Sequence, residues 1–520
     1  MNKMNTIYLV LVFIGILIPY NKAQQQNHIP WPSLADSPWP VLRGDMQGTG
    51  RSRFIGPATN NVLWRKDMPL GVLYGPVIGY NDVLYMGERA LSPDSVNYFY
   101  AVDKNGNDLW TFETETYLPN NSGPILLHDS TIYFFSRNQK MYALNPYGNL
   151  KWEQNIWANF IPFYPVTKNG DIYVVQVNGL LVVSPEGIIK DTLFIPDVSP
   201  AIVFSTGGDT IYFTTGGSSS GEMPGAINAA DLNGNIYWTY NFARSNWGVP
   251  LVDNQNKIYV FGKDSIPQGN YYLNCIKPNG TLDWHYGVHS FEGRSSPTID
   301  EDGNIIIIAR KIINSEERNC IISLDYYGNE NWITPFEGDW DNHYINHELV
   351  CDAEGKIYCG SSTGGYFYCF DNDGELLWSF DLGDLEYDSN PAIGSDGTLY
   401  IGTHISSLFQ NHTQNLIAIR DTVTSVVNDG TEVLSYILEQ NYPNPFNSTT
   451  HIRYTIPSSG NVTLKVFDLL GQEVTILLDR YQERGEYDAI FQADNLVSGV
   501  YFYRLKSGSF TASKKLILMK

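Results

Sequence analysis

A glycine four residues ahead of a tryptophan recurs six times along this chain. It stands in DKNGNDLW (103–110), NPYGNLKW (145–152), DLNGNIYW (231–238), KPNGTLDW (277–284), DYYGNENW (325–332) and DNDGELLW (371–378). With 12 Trp and 46 Gly in 520 residues, chance gives about one such pairing, so the chain is an internal repeat. Trp64 stands 46 residues before Trp110 without its glycine, and Phe194, 42 residues after Trp152, fills the place of a degenerate copy. The markers Trp64, Trp110, Trp152, Phe194, Trp238, Trp284, Trp332 and Trp378 lie 42–48 residues apart.

Between the markers runs a second signal: a Pro, a short apolar stretch, a polar turn, then an apolar strand that usually carries Tyr. Its copies include GPVIGYNDVLY (75–85), GPILLHDSTIY (123–133), VPLVDNQNKIY (249–259) and NPAIGSDGTLY (390–400). Both halves of the repeat alternate with period 2, which makes four short strands per unit. Four antiparallel strands at this interval predict a β-propeller, because stacking around an axis buries both faces of each sheet and leaves short edges. Each Gly supplies the positive φ of a tight turn, and each Trp is expected to cover the seam with the next blade. Eight blades follow if the strand ending at Trp64 completes the last sheet with NLIAIR (415–420). Seven is the alternative, because the 181–194 unit is weak.

The chain carries a net charge of −22, which excludes a nucleic-acid or anionic-membrane partner. At the N-terminus, Lys3 precedes an apolar run from Ile7 to Tyr20, the pattern of a signal peptide cleaved after Ala23. No later stretch is apolar enough to span a membrane, so the mature chain is expected to be exported. The five cysteines, Cys275, Cys320, Cys351, Cys359 and Cys369, form no CxxC pair; as small strand residues they leave room for one or two disulfides and give no zinc site. The division drawn from sequence is signal peptide 1–23, leader 24–35, propeller 36–422, linker 423–436 and tail 437–520.

The Gly-x-x-x-Trp repeats resemble the quinoprotein-like family of PQQ-like propellers over about 36–422. SPWPVLRGDMQGTGRS (37–52) resembles the leading segment of secreted members, which makes its RGD (43–45) part of a turn. The resemblance implies the propeller fold. It leaves pyrroloquinoline quinone unassigned, since the chain lacks the adjacent cysteines that often face this cofactor in the family. Calcium is left open by acidic turns such as DNDGE (371–375), although hairpin chemistry explains those turns better.

In the tail, Val462, Leu464 and Val466 alternate onto one face, and Tyr501, Tyr503 and Leu505 onto another, as in a small Ig-like β-sandwich. YPNPF (442–446), KVFDLLGQEV (465–474), GVYFYRL (499–505) and KKLILMK (514–520) are together similar to the C-terminal sorting domain of the type IX secretion system. That resemblance implies handling by the type IX machinery and a location outside, or on the surface of, a Gram-negative bacterium. The expected fold class is therefore all-β: an eight-bladed propeller followed by a small sandwich.

Propellers usually place ligands at one end of the axis. The residues just before each Pro lead there: Tyr74, Asn121, Tyr164, Asn246, Trp247, Arg294, His343, Asn346, His347, Asp388 and Asn390. Such polar and aromatic groups suit hydrogen bonding and stacking with a glycan, a peptide or a protein. DNHYINHE (341–348) sets His343 and His347 four apart, but it is not HExxH, and no metal is assigned. No P-loop or dinucleotide fingerprint occurs. The sequence thus favours a non-catalytic binding module; a quinone-dependent dehydrogenase or a histidine-using polysaccharide lyase is the alternative.

Overall fold

The computed structural model describes residues 25–520 apart from 69–70, 73–74, 89–96, 115–122, 137–139, 157–164, 177–178, 196–197, 217–224, 246–247, 265–269, 291–295, 337–348, 361–364, 383–389, 404–414, 422–436, 457–458, 470, 495 and 508–509. The described chain is all-β. Eight antiparallel sheets occupy residues 62–419. The first runs Val77–Ile78, Leu84–Gly87, Asn97–Val102, Asp108–Thr114, from the innermost strand to the outermost. Inner strands are buried throughout, whereas Asp108–Thr114 alternates between exposed and half-buried, as an outer edge should. The eighth sheet joins Ala392–Ile393, Leu399–Gly402 and Asn415–Ile419 to Val62–Asp67 from the other end of the chain.

Register shows why the repeat has two halves. In the first sheet Tyr85 pairs with Ala101 and Ala101 with Trp110, so a small residue lies between two large rings on one face. The same ladder runs Tyr133–Ala143–Trp152, Tyr212–Ala229–Trp238, Tyr259–Cys275–Trp284, Tyr358–Cys369–Trp378 and Tyr400–Ala418–Trp64. The rings meet over the small residue with centroids 5.5–6.2 Å apart. A register shift just before each Trp inserts one extra residue, and this bulge re-aims the indole toward the next sheet.

There the indole meets the following turn. Trp110 Nε1 donates to Pro146 O at 2.9 Å, and a Cβ on Gly148 would fall 2.6 Å from its ring. Trp64 likewise bonds Lys104 O and covers Gly106; Trp152 bonds Pro185 O and covers Gly187. Trp238 bonds Pro278 O and covers Gly280, Trp284 bonds Tyr326 O and covers Gly328, and Trp332 bonds Asn372 O and covers Gly374. These glycines have φ between +80 and +87°, so they satisfy the turn and the close approach together. Trp64 belongs to the eighth sheet and Gly106 to the first, so the same contact closes the circle.

The closing sheet has its turn cut by the chain termini of the ring. Elsewhere an Asp caps it: Asp103 Oδ1 accepts from Asn105 N and Asn107 N, both at 2.9 Å. Here Asp421 reaches across the cut to accept from Ala58 N (2.9 Å), Thr59 N (2.8 Å) and Thr59 Oγ1 (2.6 Å). Trp378 Nε1 then donates to Pro57 O at 3.2 Å.

Three expectations change. Phe194 is 84% exposed, and the position in register with the Trp markers is Asp191, paired with Val182. Leu193 and Ile195 fill that seam, against Gly234. All five cysteines are free and buried, and two of them are the small rung between Tyr and Trp, so no disulfide forms. In the tail, Val466 pairs with Tyr503 and Leu464 with Leu505, so both alternating sets share one face of one sheet. The tail has two sheets, one of three strands and one of four, around a core that includes Ile452, Tyr454, Leu464, Val466, Phe491 and Tyr503.

Candidate functional site

The inner strands of the ring are apolar and present free edges toward the axis, so a segment laid against them shields them from water. The segment before the first strand lies there. Trp39 exchanges backbone hydrogen bonds with Ile78 of the first sheet, and Pro40 O accepts from Leu126 N of the second. Met46 S accepts from Val166 N, next to the third sheet, and Met46 O accepts from Phe204 N of the fourth. Gln47 O accepts from Val252 N of the fifth, and Thr49 O from Thr298 Oγ1 of the sixth. Gly50 O accepts from Cys351 N of the seventh, and Ile55 O lies against Gly397 in the eighth. Residues 39–55 therefore touch the eight sheets in ring order.

At the centre lies Arg43, 1% exposed. Its guanidinium donates to Gly48 O through Nε (3.1 Å) and Nη2 (2.9 Å), to Leu349 O through Nη1 (3.4 Å), and to Pro297 O. Pro297 and Leu349 stand immediately before inner strands, where backbone carbonyls converge. A planar group with five donors suits that convergence better than an ammonium would. Asp45 Oδ1 caps the turn by accepting from Gln47 N (3.1 Å) and Thr49 N (3.0 Å). The RGD is thus a turn inside the hub, with its arginine buried.

The residues assigned to the leader from sequence belong to the same body. Trp31 Nε1 donates to Val166 O at 2.7 Å, and Ala35 N to Leu126 O at 2.9 Å. Residue 36 marks no structural boundary. Sequence reasoning missed the hub because the segment carries no periodicity; the trace it left was three glycines (Gly44, Gly48, Gly50) among apolar residues.

Of the rim candidates, Tyr74, Asn121, Tyr164, Asn246, Trp247, Arg294, His343, Asn346, His347 and Asp388 lie outside the described residues. Asn390 is described. It is 5% exposed at the start of the eighth sheet's inner strand, and its amide nitrogen has no hydrogen-bond partner among the described residues. The acidic turns spend their carboxylates on the backbone: Asp371 Oδ1 accepts from Asp373 N and Glu375 N, and Asp300 Oδ1 from Asn304 N. Among the described residues no His, Cys, Asp and Glu group is placed to hold a metal ion, and no helix is long and apolar enough to cross a membrane.

A ring stitched at its seams by indole on glycine, closed by its first strand and filled at the hub, with a two-sheet tail behind it, is a β-propeller of PQQ-like repeats carrying a sorting tail. Residues 45–188 match the family described as outer membrane protein assembly factor BamB. Residues 440–519 match the secretion system C-terminal sorting domain. The chain is accordingly a secreted propeller protein whose tail is handled by the type IX machinery, with a secreted or cell-surface location. No curated protein matches it. Among solved structures it is similar to BamB from Moraxella catarrhalis, at 14% identity, covering 70% of this chain and 98% of that one with a TM-score of 0.47. It is also similar to the Dos1 propeller, at 11% identity over 71% and 94% of the two chains, TM-score 0.47. These likenesses add nothing to the fold already described.

Proposed function

We propose that the ring is a non-catalytic binding module for a glycan, peptide or protein, presented outside the cell after export by the type IX system. The observation that supports the reading most is the hub segment: residues 39–55 are hydrogen-bonded to residues of the first seven sheets or beside them and lie against the turn of the eighth, which braces the ring. On such a ring, ligand contacts come from the connections between one sheet's outer strand and the next sheet's inner strand, where the polar and aromatic rim candidates fall. A rigid scaffold that carries variable connections keeps the ordering cost of binding low.

The test is a glycan array and a peptide library screened against the purified chain, with Arg294→Ala, His343→Ala and Asn346→Ala alongside. Saturable binding that one or more of these substitutions weakens at least tenfold supports the reading. Turnover of any substrate that a rim substitution abolishes overturns it, as does dye reduction after reconstitution with pyrroloquinoline quinone and calcium.

A further inference from the structure

The repeats supply an internal comparison. In three seams the strand-two tyrosine closes onto the next turn directly: Tyr133 OH donates to Pro185 O (2.9 Å), Tyr173 OH to Leu232 O (2.6 Å) and Tyr358 OH to Pro57 O (3.1 Å). Tyr85 occupies the same register position in the first sheet, and the equivalent carbonyl is Pro146 O. That carbonyl accepts Trp110 Nε1, but its second donor is Tyr442 OH of the tail, at 2.9 Å. Burial pushes the Tyr85 phenol up, and the neighbouring Tyr442 hydroxyl adds to that shift. A phenol from YPNPF has entered the seam and bonds the carbonyl that the strand-two tyrosine bonds elsewhere.

A second contact fixes the same corner. Ser130 Oγ, buried in the 127–131 turn, donates to Asn444 O at 2.6 Å. The side chain of Asn444 is braced within the tail: its Oδ1 accepts from Ile517 N (2.8 Å) and its Nδ2 donates to Lys515 O (3.3 Å). Pro443 and Asn444 are buried. The corner that marks this tail as a sorting domain is therefore the corner the propeller covers.

We propose that the seam formed by Tyr85, Ser130 and Pro146 is a retention site for the chain's own Tyr442–Asn444 corner, which leaves the seam before the secretion machinery handles it. The second half rests on the reading of the tail as a sorting domain. Few hydrogen bonds suffice, because only 15 residues separate Asp421 from Ile437, and tethering of this kind gives effective concentrations on the order of millimolar. The same small number leaves the docked state easy to open, so a machinery that binds the free corner shifts the equilibrium toward release.

The experiment is amide hydrogen exchange on the purified full chain, comparing wild type with Tyr442→Phe, Tyr85→Phe and Tyr133→Phe. Each keeps its ring and loses one hydroxyl. The first two are expected to speed exchange about tenfold at 145–149 and 442–446, with Gly460–Phe467 unchanged as the check that the tail stays folded. Tyr133→Phe, at a seam without the tail, should leave 442–446 at the wild-type rate. Wild-type exchange in Tyr442→Phe and Tyr85→Phe overturns the retention site, and so does an equal effect from Tyr133→Phe. In cells, Tyr442→Phe should be processed faster than wild type; an unchanged rate with docking lost overturns the gating step. Unchanged export after deletion of 437–520 would instead overturn the sorting reading and leave the seam untouched.

Discussion

Gly328→Ala probes the contact on which the ring depends. Gly328 has φ +85°, and a Cβ there would lie 2.5 Å from Trp284 Cδ2 and 2.6 Å from Cε3. Two costs follow. Holding an L-residue in the left-handed region costs about 1–2 kcal/mol. Forcing the indole off its glycine adds about 1–3 kcal/mol of overpacking. The single substitution should therefore cost about 2–5 kcal/mol. The two costs separate in a double-mutant cycle. With Trp284→Ala the ring is gone, and Gly328→Ala should then cost only the backbone part. The pair should be less than additive by about 1–3 kcal/mol. Urea unfolding followed by tryptophan fluorescence reads the ring alone, because all 12 Trp precede residue 421. Coupling below about 0.5 kcal/mol, the usual scatter for independent sites, would refute the indole-on-glycine reasoning.

Trp378 is 7% exposed while the other marker indoles are half-buried, so Trp378→Ala should cost about 3–5 kcal/mol and Trp238→Ala less, compared in the same urea assay. Asp421→Ala removes three hydrogen bonds across the cut turn and should destabilise the closing sheet by about 1–2 kcal/mol, seen first as faster exchange at 58–61. Burial pushes the thiols of Cys275, Cys351, Cys359 and Cys369 above their ordinary value of 9.0. The native chain should thus resist a thiol reagent at pH 8 and react at five sites in urea. Because the folded values are the raised ones, this contribution to stability is complete below the ordinary thiol pKa and declines as pH rises past it. A urea midpoint that does not fall between pH 8 and pH 10 would contradict that sign. Deleting 437–520 should leave the ring folded but retained in the periplasm; fractionation of cells expressing the shortened chain checks it.

What the sequence determined is whatever the repeat encodes locally. The Tyr and Trp of each unit lie at fixed offsets because strand register puts them on one face with a small residue between, and the Gly four residues earlier is fixed by its own turn. The sorting tail is legible for the same reason, as motifs in a set order. Where a copy decays, the pattern misleads: Phe194 keeps the spacing, yet the bulge register gives the position to Asp191, and Leu193 and Ile195 do the packing. The hub could not be read because Arg43, Met46 and Gln47 each answer a different sheet, so no period runs through them. The rim residues other than Asn390 lie outside the described chain. Tyr442 reads as a motif residue, and only the tertiary structure places its hydroxyl on Pro146 O. Contacts between neighbours in sequence or in the repeat leave a periodic trace. Contacts between segments about 300 residues apart, such as Ser130 with Asn444, depend on where the closed ring brings two surfaces together, and no local pattern carries that.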